Sequence, residues 1–211
     1  QLIQKKGAPG CRVFVLKDGI EVFNRSYGHL NYDKQKKVND STLYDIASIT
    51  KVAATTLAVM KLYENGQLDI TKTLGYYLPK ARNTNKEHLV ISDILQHRAG
   101  LTAWIPFYKE TLDPSTNTLR ENLYQSVASD GWNKLVANQL YIRNAYEDTM
   151  WKRILDQPLE TVGKYVYSDL DFLFLQKVVE AISKTSLNTY VVQKFYEPMG
   201  LKNIAYNPLP K

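Results

Sequence analysis

An α+β fold is what this sequence predicts: an antiparallel sheet with helices packed on it and a helical subdomain beside them. Three observations carry the prediction. A strong hairpin signal stands near the start; the periodicity then turns helical and largely stays so; and strands and helices never alternate as a doubly wound parallel sheet requires. The 211 residues are 44% hydrophobic and 23% charged, which suffices for one sizeable core or a domain with a subdomain. Patterning divides the chain into residues 1–66 (hairpin and first long helix), 67–165 (helical subdomain with an insertion) and 166–211 (a loop and the helices after it).

The elements follow in order. "QLIQKK" at the start reads as the tail of a helix, and a chain beginning at Gln1 rather than Met reads as a piece of something longer. In "CRVFVLKDGIEVFNRSYG" (11–28), Asp18-Gly19 separates two alternating apolar runs, the usual mark of a two-residue hairpin turn. Residues 29–41 are polar loop, and 42–48 is an extended approach. A helix over 49–64 is apolar on nearly every face, so central burial is expected, and Asn65-Gly66 stops it. Residues 69–79 read as a short helix closed by Pro79, and 91–100 as another with Ser92 as N-cap and Gly100 past its end. Periodicity weakens over 102–164, where Trp104, Trp132 and Trp151 all fall and only 147–155 is firmly helical. Helices return over 170–184 and 187–201. A two-strand hairpin is a poor sheet alone, so the remaining strands are expected beyond Lys211.

Composition excludes several classes. The formal charge of +6 is scattered in pairs such as Lys5-Lys6 and forms no stripe, which argues against nucleic acid as a partner. One cysteine, Cys11, forbids an internal disulfide or a cysteine-rich metal site, and its place in an apolar strand suggests a buried thiol. No apolar run is long enough to cross a bilayer. His29, His88 and His97 show no metal-ligand spacing, so neither a metal nor another cofactor is expected.

Chemistry enters at "SITKVAATT" (48–56). Ser48 and Lys51 are three residues apart at a helix start and share a face. The positive end of the helix favours an alkoxide-like serine oxygen and disfavours a charged lysine, and burial lowers a lysine pKa further. A neutral Lys51 is then a general base for a nucleophilic Ser48. The plainer alternative is a serine N-cap followed by a lysine reaching water, and the spacing alone does not choose between them. Tyr63-Glu64-Asn65 is too far to assist, roughly 22 Å down the same helix. Tyr167-Ser168-Asp169, in a loop before an apolar helix, is better placed to hold a side chain in a cleft, or else it simply caps that helix.

Taken together, the hairpin, "YDIASITKVAATTLAVMKLYENGQLDI", "ISDILQHRAGLT", "YVYSDLDFLFLQKVVE" and "FYEPMGLKNIAYNP" resemble the penicillin-binding-protein-like serine hydrolases, the family of class C β-lactamases, D,D-peptidases and related esterases. The resemblance runs from about Gly10 to Pro208 and is least familiar over 103–164. It implies a β-lactamase/transpeptidase-like fold, Ser48 as nucleophile, Lys51 as base, and Tyr167 assisting. Asp169 stands where many members carry a substrate-binding Asn; a carboxylate there suits a partner for Lys51. "HRAGL" (97–101) resembles a structural segment, which makes His97 a packing residue. The family's third motif, on a late strand, has no match: Lys72-Thr73-Leu74 opens a helix and Lys184-Thr185-Ser186 links two. The chain thus reads as the first two thirds of a domain, inactive by itself.

The resemblance further implies acyl transfer on a β-lactam, a cell-wall peptide, an ester or a muramoyl–peptide amide, a small-molecule or peptidoglycan-derived partner, and work in the bacterial periplasm or outside the cell. Fusion behind a glycosidase domain would suit the amidase reading. A non-catalytic or slowly acylating sensor of the same fold is the competing expectation.

Overall fold

Asp18 and Gly19 turn the chain with φ of +53° and +79°, the left-handed pair that a tight hairpin needs. They join β1 (Gly10–Lys17) to β2 (Ile20–Gly28) in antiparallel register, with a bulge between Val15 and Leu16. Phe14, Val22 and Phe23 of this ribbon are all exposed, and Cys11 is half-buried rather than buried. The computed structural model describes residues 2–206 of the chain. Residues 2–6 form turns and not the expected helix end; Gln1 and the residues from Asn207 on lie outside those described. Two compact units result, Gln1–Ile46 and Ala47–Lys211.

The second unit is built around α6 (Asp169–Ser183). Its apolar residues recur at helical spacing, so Leu170, Phe174, Leu175, Val178 and Val179 are all fully buried. Ser168 caps it by accepting a hydrogen bond from the Leu170 N–H at 3.1 Å, and Asp169 and Asp171 complement the helix dipole in the first turn. Against α6 packs a helix in two parts: a wide π-helical turn over Lys51–Thr56 leads straight into α1 (Leu57–Glu64). Ala54, Ala58, Val59 and Leu62 face the core, but Val52 and Met60 are each 60% exposed. The burial expected on all sides therefore holds for one face only.

Several shorter elements frame the pair. The helix expected over 69–79 shrinks to α2 (Leu74–Tyr77) and a 3-10 turn (Pro79–Ala81). Asp69 instead makes a turn, accepting from the Thr71 N–H and hydroxyl. Lys86 is fully buried and donates to Asn85 Oδ1 at 2.7 Å and to the Gln157 carbonyl at 2.5 Å. It fastens the loop to the chain at Gln157. The next helix, α3, covers only Ile91–Leu95; Val90 and not Ser92 occupies the cap position. Gln96 is its C-cap, and His97 just beyond takes φ +57°, three residues before Gly100. Within 102–164 lie α4 (Phe107–Glu110), a small sheet of β3 (Tyr124–Gln125), β4 (Lys134–Ala137) and β5 (Leu140–Ile142) in order β3-β5-β4, and α5 (Ala145–Asp156). The firm helix expected over 147–155 is α5, and the rest of this weakly periodic stretch includes a small sheet that the sequence did not announce. α7 (Leu187–Val191) and a π-helical turn (Val192–Tyr196) close the described fold.

The stretch 97–103 is laced along 160–169 by backbone bonds: Glu160 N–H to the Gly100 carbonyl, Gly163 to Arg98, Val166 to His97 and Asp169 to Ala103. Gly100 makes this approach possible. Its φ is +72°, and a Cβ there would meet the Glu160 carbonyl oxygen at 2.9 Å. Gly100→Ala is expected to cost about 2 kcal/mol, from the left-handed backbone and the overpacking together, read as a drop in the urea midpoint. An unchanged midpoint would mean that the lacing yields freely.

Candidate active site

Ser48 follows Ala47, a non-glycine residue at φ +43°, and Lys51 closes the first turn by donating its N–H to the Ser48 carbonyl at 3.0 Å. The turn brings the two side chains together, with Lys51 Nζ 3.1 Å from Ser48 Oγ. From the start of α6, Asp169 Oδ1 reaches the same ammonium at 2.6 Å. The Tyr167 hydroxyl bonds to both Ser48 and Lys51, and the Lys51 ammonium lies 5.0 Å from the Tyr167 ring centroid. Residues 48 and 51 on one element and 167 and 169 on another thus converge on one point. All four residues singled out from the sequence are there.

The electrostatics correct one expectation. Burial does push the Lys51 pKa down, but its bonds and charge attraction to Asp169 and Tyr167 outweigh burial and leave it above the ordinary value. The resting lysine is charged, not neutral. The tyrosine shifts the other way: hydrogen bonds from Ser48 and then Lys51 hold Tyr167 below its usual range. Asp169→Asn removes what offsets the burial of Lys51. Its pKa is then expected to fall, and any activity that needs the charged lysine should fade at lower pH on the alkaline side. A pH–rate profile with an unmoved alkaline limb would remove Asp169 from this role.

The group opens into a cleft of about 700 Å³ whose lining includes Ser48, Lys51, Asp169, Trp104, Phe172 and Leu187. Of the three tryptophans only Trp104 lines it; Trp151 packs on Phe174 with ring centroids 5.6 Å apart, and Trp132 lies against Arg143. Beneath Tyr167 sit two residues whose roles the sequence did not disclose. His97 Nδ1 is 2.7 Å from Asp171 Oδ2, and its ring lies 4.6 Å from the Tyr167 ring, centroid to centroid. An aspartate between Leu170 and Phe172 on an apolar helix was the available signal for a buried acid.

The family model described as Beta-lactamase matches residues 1–211. The chain belongs to the Beta-lactamase family. A relative from Salmonella paratyphi A, whose assigned name is D-alanyl-D-alanine carboxypeptidase, is 30% identical over 97% of this chain and 45% of its own length. One from Salmonella schwarzengrund with the same name is 31% identical over the same shares. The chain therefore spans about half the length of the curated relatives it matches. Among solved structures, a penicillin-binding protein homologue from Pyrococcus abyssi superposes with a TM-score of 0.68 at 24% identity, covering 95% of this chain and 41% of that one. A class C β-lactamase from Rhodobacter sphaeroides gives 0.66 at 20% identity over 95% and 47%. These likenesses show the β-lactamase/transpeptidase fold. Among the described residues of this β-lactamase-family chain, no helix is long and apolar enough to cross a membrane.

Proposed function

We propose that the protein to which this chain belongs is a serine hydrolase working by acyl transfer. One observation carries the reading: Lys51 Nζ lies between Ser48 Oγ and Asp169 Oδ1, with the Tyr167 hydroxyl bonded to serine and lysine. Ser48 Oγ attacks the carbonyl carbon of the substrate. Its proton passes to the Tyr167 oxygen, which the Lys51 ammonium favours in its phenolate form, and then to the leaving group. The acyl-enzyme is cleaved by water whose proton follows the same route. In this route Lys51 acts as a charge; for it to be the base instead, its proton must first pass to Asp169 Oδ1, 2.6 Å away. Asp169 holds that charge in place, in preference to binding a substrate amide.

The names of the Salmonella relatives favour a D-alanyl peptide or another cell-wall acyl group as substrate, and an apolar cleft wall of Trp104 and Phe172 suits the body of such a ligand. A cell-wall substrate places the work on the periplasmic or extracellular side of a bacterium. A muramoyl–peptide amide, with the domain fused behind a glycosidase, belongs to the same chemistry.

The test is intact-protein mass after incubation with a reactive β-lactam and, separately, a fluorophosphonate, on the full-length protein and on residues 1–211. A Ser48-dependent adduct on the full-length protein, absent from Ser48→Ala, is expected; residues 1–211 alone are expected to label little. No adduct on the full-length protein would leave the sensor reading, which the carboxylate at position 169 favours.

A further inference from the structure

We propose that His97 and Asp171 form a positioning pair that fixes the ring of Tyr167 over Lys51, so that the tyrosine oxygen stays on the Ser48 proton. This rests on the acyl-transfer reading and adds two residues to it. Neither side chain is given a contact with substrate; both act through Tyr167.

Three independent features of the fold converge on this assignment. The first is backbone. His97 sits at φ +57°, at a helix end where glycine is the common residue. An imidazole is kept there despite the left-handed conformation, and such outliers point to a use for the side chain. The second is packing. The His97 ring lies 4.6 Å from that of Tyr167 and 5.4 Å from that of Phe172, tilted 44° and 40° to them, with Tyr165 edge-on at 6.0 Å. The tyrosine, 44% exposed, thus has one firm face, and that face is His97.

The third is hydrogen bonding. His97 Nδ1 accepts the Ser168 N–H at 3.2 Å, so the loop residue directly after Tyr167 is tied to the same ring. A nitrogen that accepts there has no proton of its own. The 2.7 Å contact from Asp171 Oδ2 to that nitrogen then needs its proton on the carboxyl side, and the two donors share the one Nδ1 lone pair, the shorter Asp171 contact being the stronger. Asp171 is 1% exposed, and its other oxygen, Oδ1, is buried without a hydrogen-bond partner, a setting that disfavours a carboxylate. A neutral acid clamping a neutral imidazole also adds no charge beside Lys51. Backbone bonds from Val166 N–H to the His97 carbonyl and from Ser168 Oγ to the Thr102 carbonyl complete the frame.

The experiment compares Asp171→Leu, Asp171→Asn and His97→Asn with wild type in the full-length protein. Ser48 labelling by a β-lactam is resolved into affinity and the maximal acylation rate. Asp171→Leu keeps the bulk and loses the donor; the acylation rate should fall about ten- to a hundredfold, the scale of a small misplacement, with affinity unchanged. Asp171→Asn keeps a neutral N–H donor and should stay within a few-fold of wild type. His97→Asn tolerates the left-handed backbone but removes the platform, and should match Asp171→Leu. Circular dichroism identifies a variant that does not fold; if Asp171→Leu fails, His97→Asn decides. Wild-type acylation by either disruptive variant, or a loss in Asp171→Asn as large as that in Asp171→Leu, overturns the pair and leaves the acyl-transfer reading standing. A wild type that takes no Ser48 adduct overturns both.

Discussion

Lys51→Ala in the full-length protein is expected to slow acylation of Ser48 by about 10³–10⁴-fold. The ammonium touches every other member of the site, so its loss acts three ways. Ser48 loses the cation 3.1 Å from its oxygen. Asp169 is left with an unpaired charge where it had a partner at 2.6 Å. Tyr167 loses one of the two hydrogen bonds that hold its pKa down, so less of it can accept a proton. Lys51→Arg should not restore the rate, because a planar guanidinium cannot occupy the point between three oxygens that an ammonium fills. Labelling rates measured by intact mass, with thermal melts to exclude misfolding, check both variants. An alanine variant within tenfold of wild type would remove Lys51 from the chemistry.

Stability is expected to fall as pH rises from about 6.5 to 8, and Asp171 is the cause. Burial pushes this carboxyl from its ordinary 3.8 up to about 8, against a smaller downward pull from Lys51. In that window the unfolded chain has released the proton and the folded chain still holds it. The folded state binds more protons, so stability declines with pH and levels off above about 8. The groups facing Asp171 are His97 from the end of α3 and Lys51 from the nucleophile helix, with Tyr167 and Asp169 around them. His97, held below 6.5 by burial and by Lys51, pulls oppositely, but only below its ordinary value. Over the remaining interval the loss is about 2 kcal/mol. Urea midpoints at pH 6.5 and pH 8 measure it, and Asp171→Asn should remove that slope. Equal slopes in the two proteins would place the proton elsewhere.

The two partners beneath Tyr167 also show what could be read from the chain before its fold. Ser48 and Lys51 were legible because their meeting is local: three residues on one turn are neighbours whatever else the chain does. Tyr167 and Asp169 needed the family resemblance to bring them across more than a hundred residues. The sign of the Lys51 shift was not legible, since burial and a carboxylate at position 169 oppose each other and only the 2.6 Å distance decides. His97 reads as packing until Asp171, 74 residues away in sequence, is seen against it. In the fold, the hairpin and α6 were plain from turn chemistry and periodicity. The sheet of β3 to β5 was not, because strands of two to four residues are too short to show a period.

The ribbon of β1 and β2 has a practical consequence. It carries large apolar side chains on both faces, with Ile20 67% exposed and Leu16 55%, and its strands of eight and nine residues pair, among the described residues, with no third strand. Such an edge templates pairing with any other extended chain, including another copy of itself. Residues 1–211 handled alone should therefore self-associate as their concentration rises. Light scattering belongs beside every kinetic trace, so that a lost signal is traced to a clumped sample before it is blamed on chemistry.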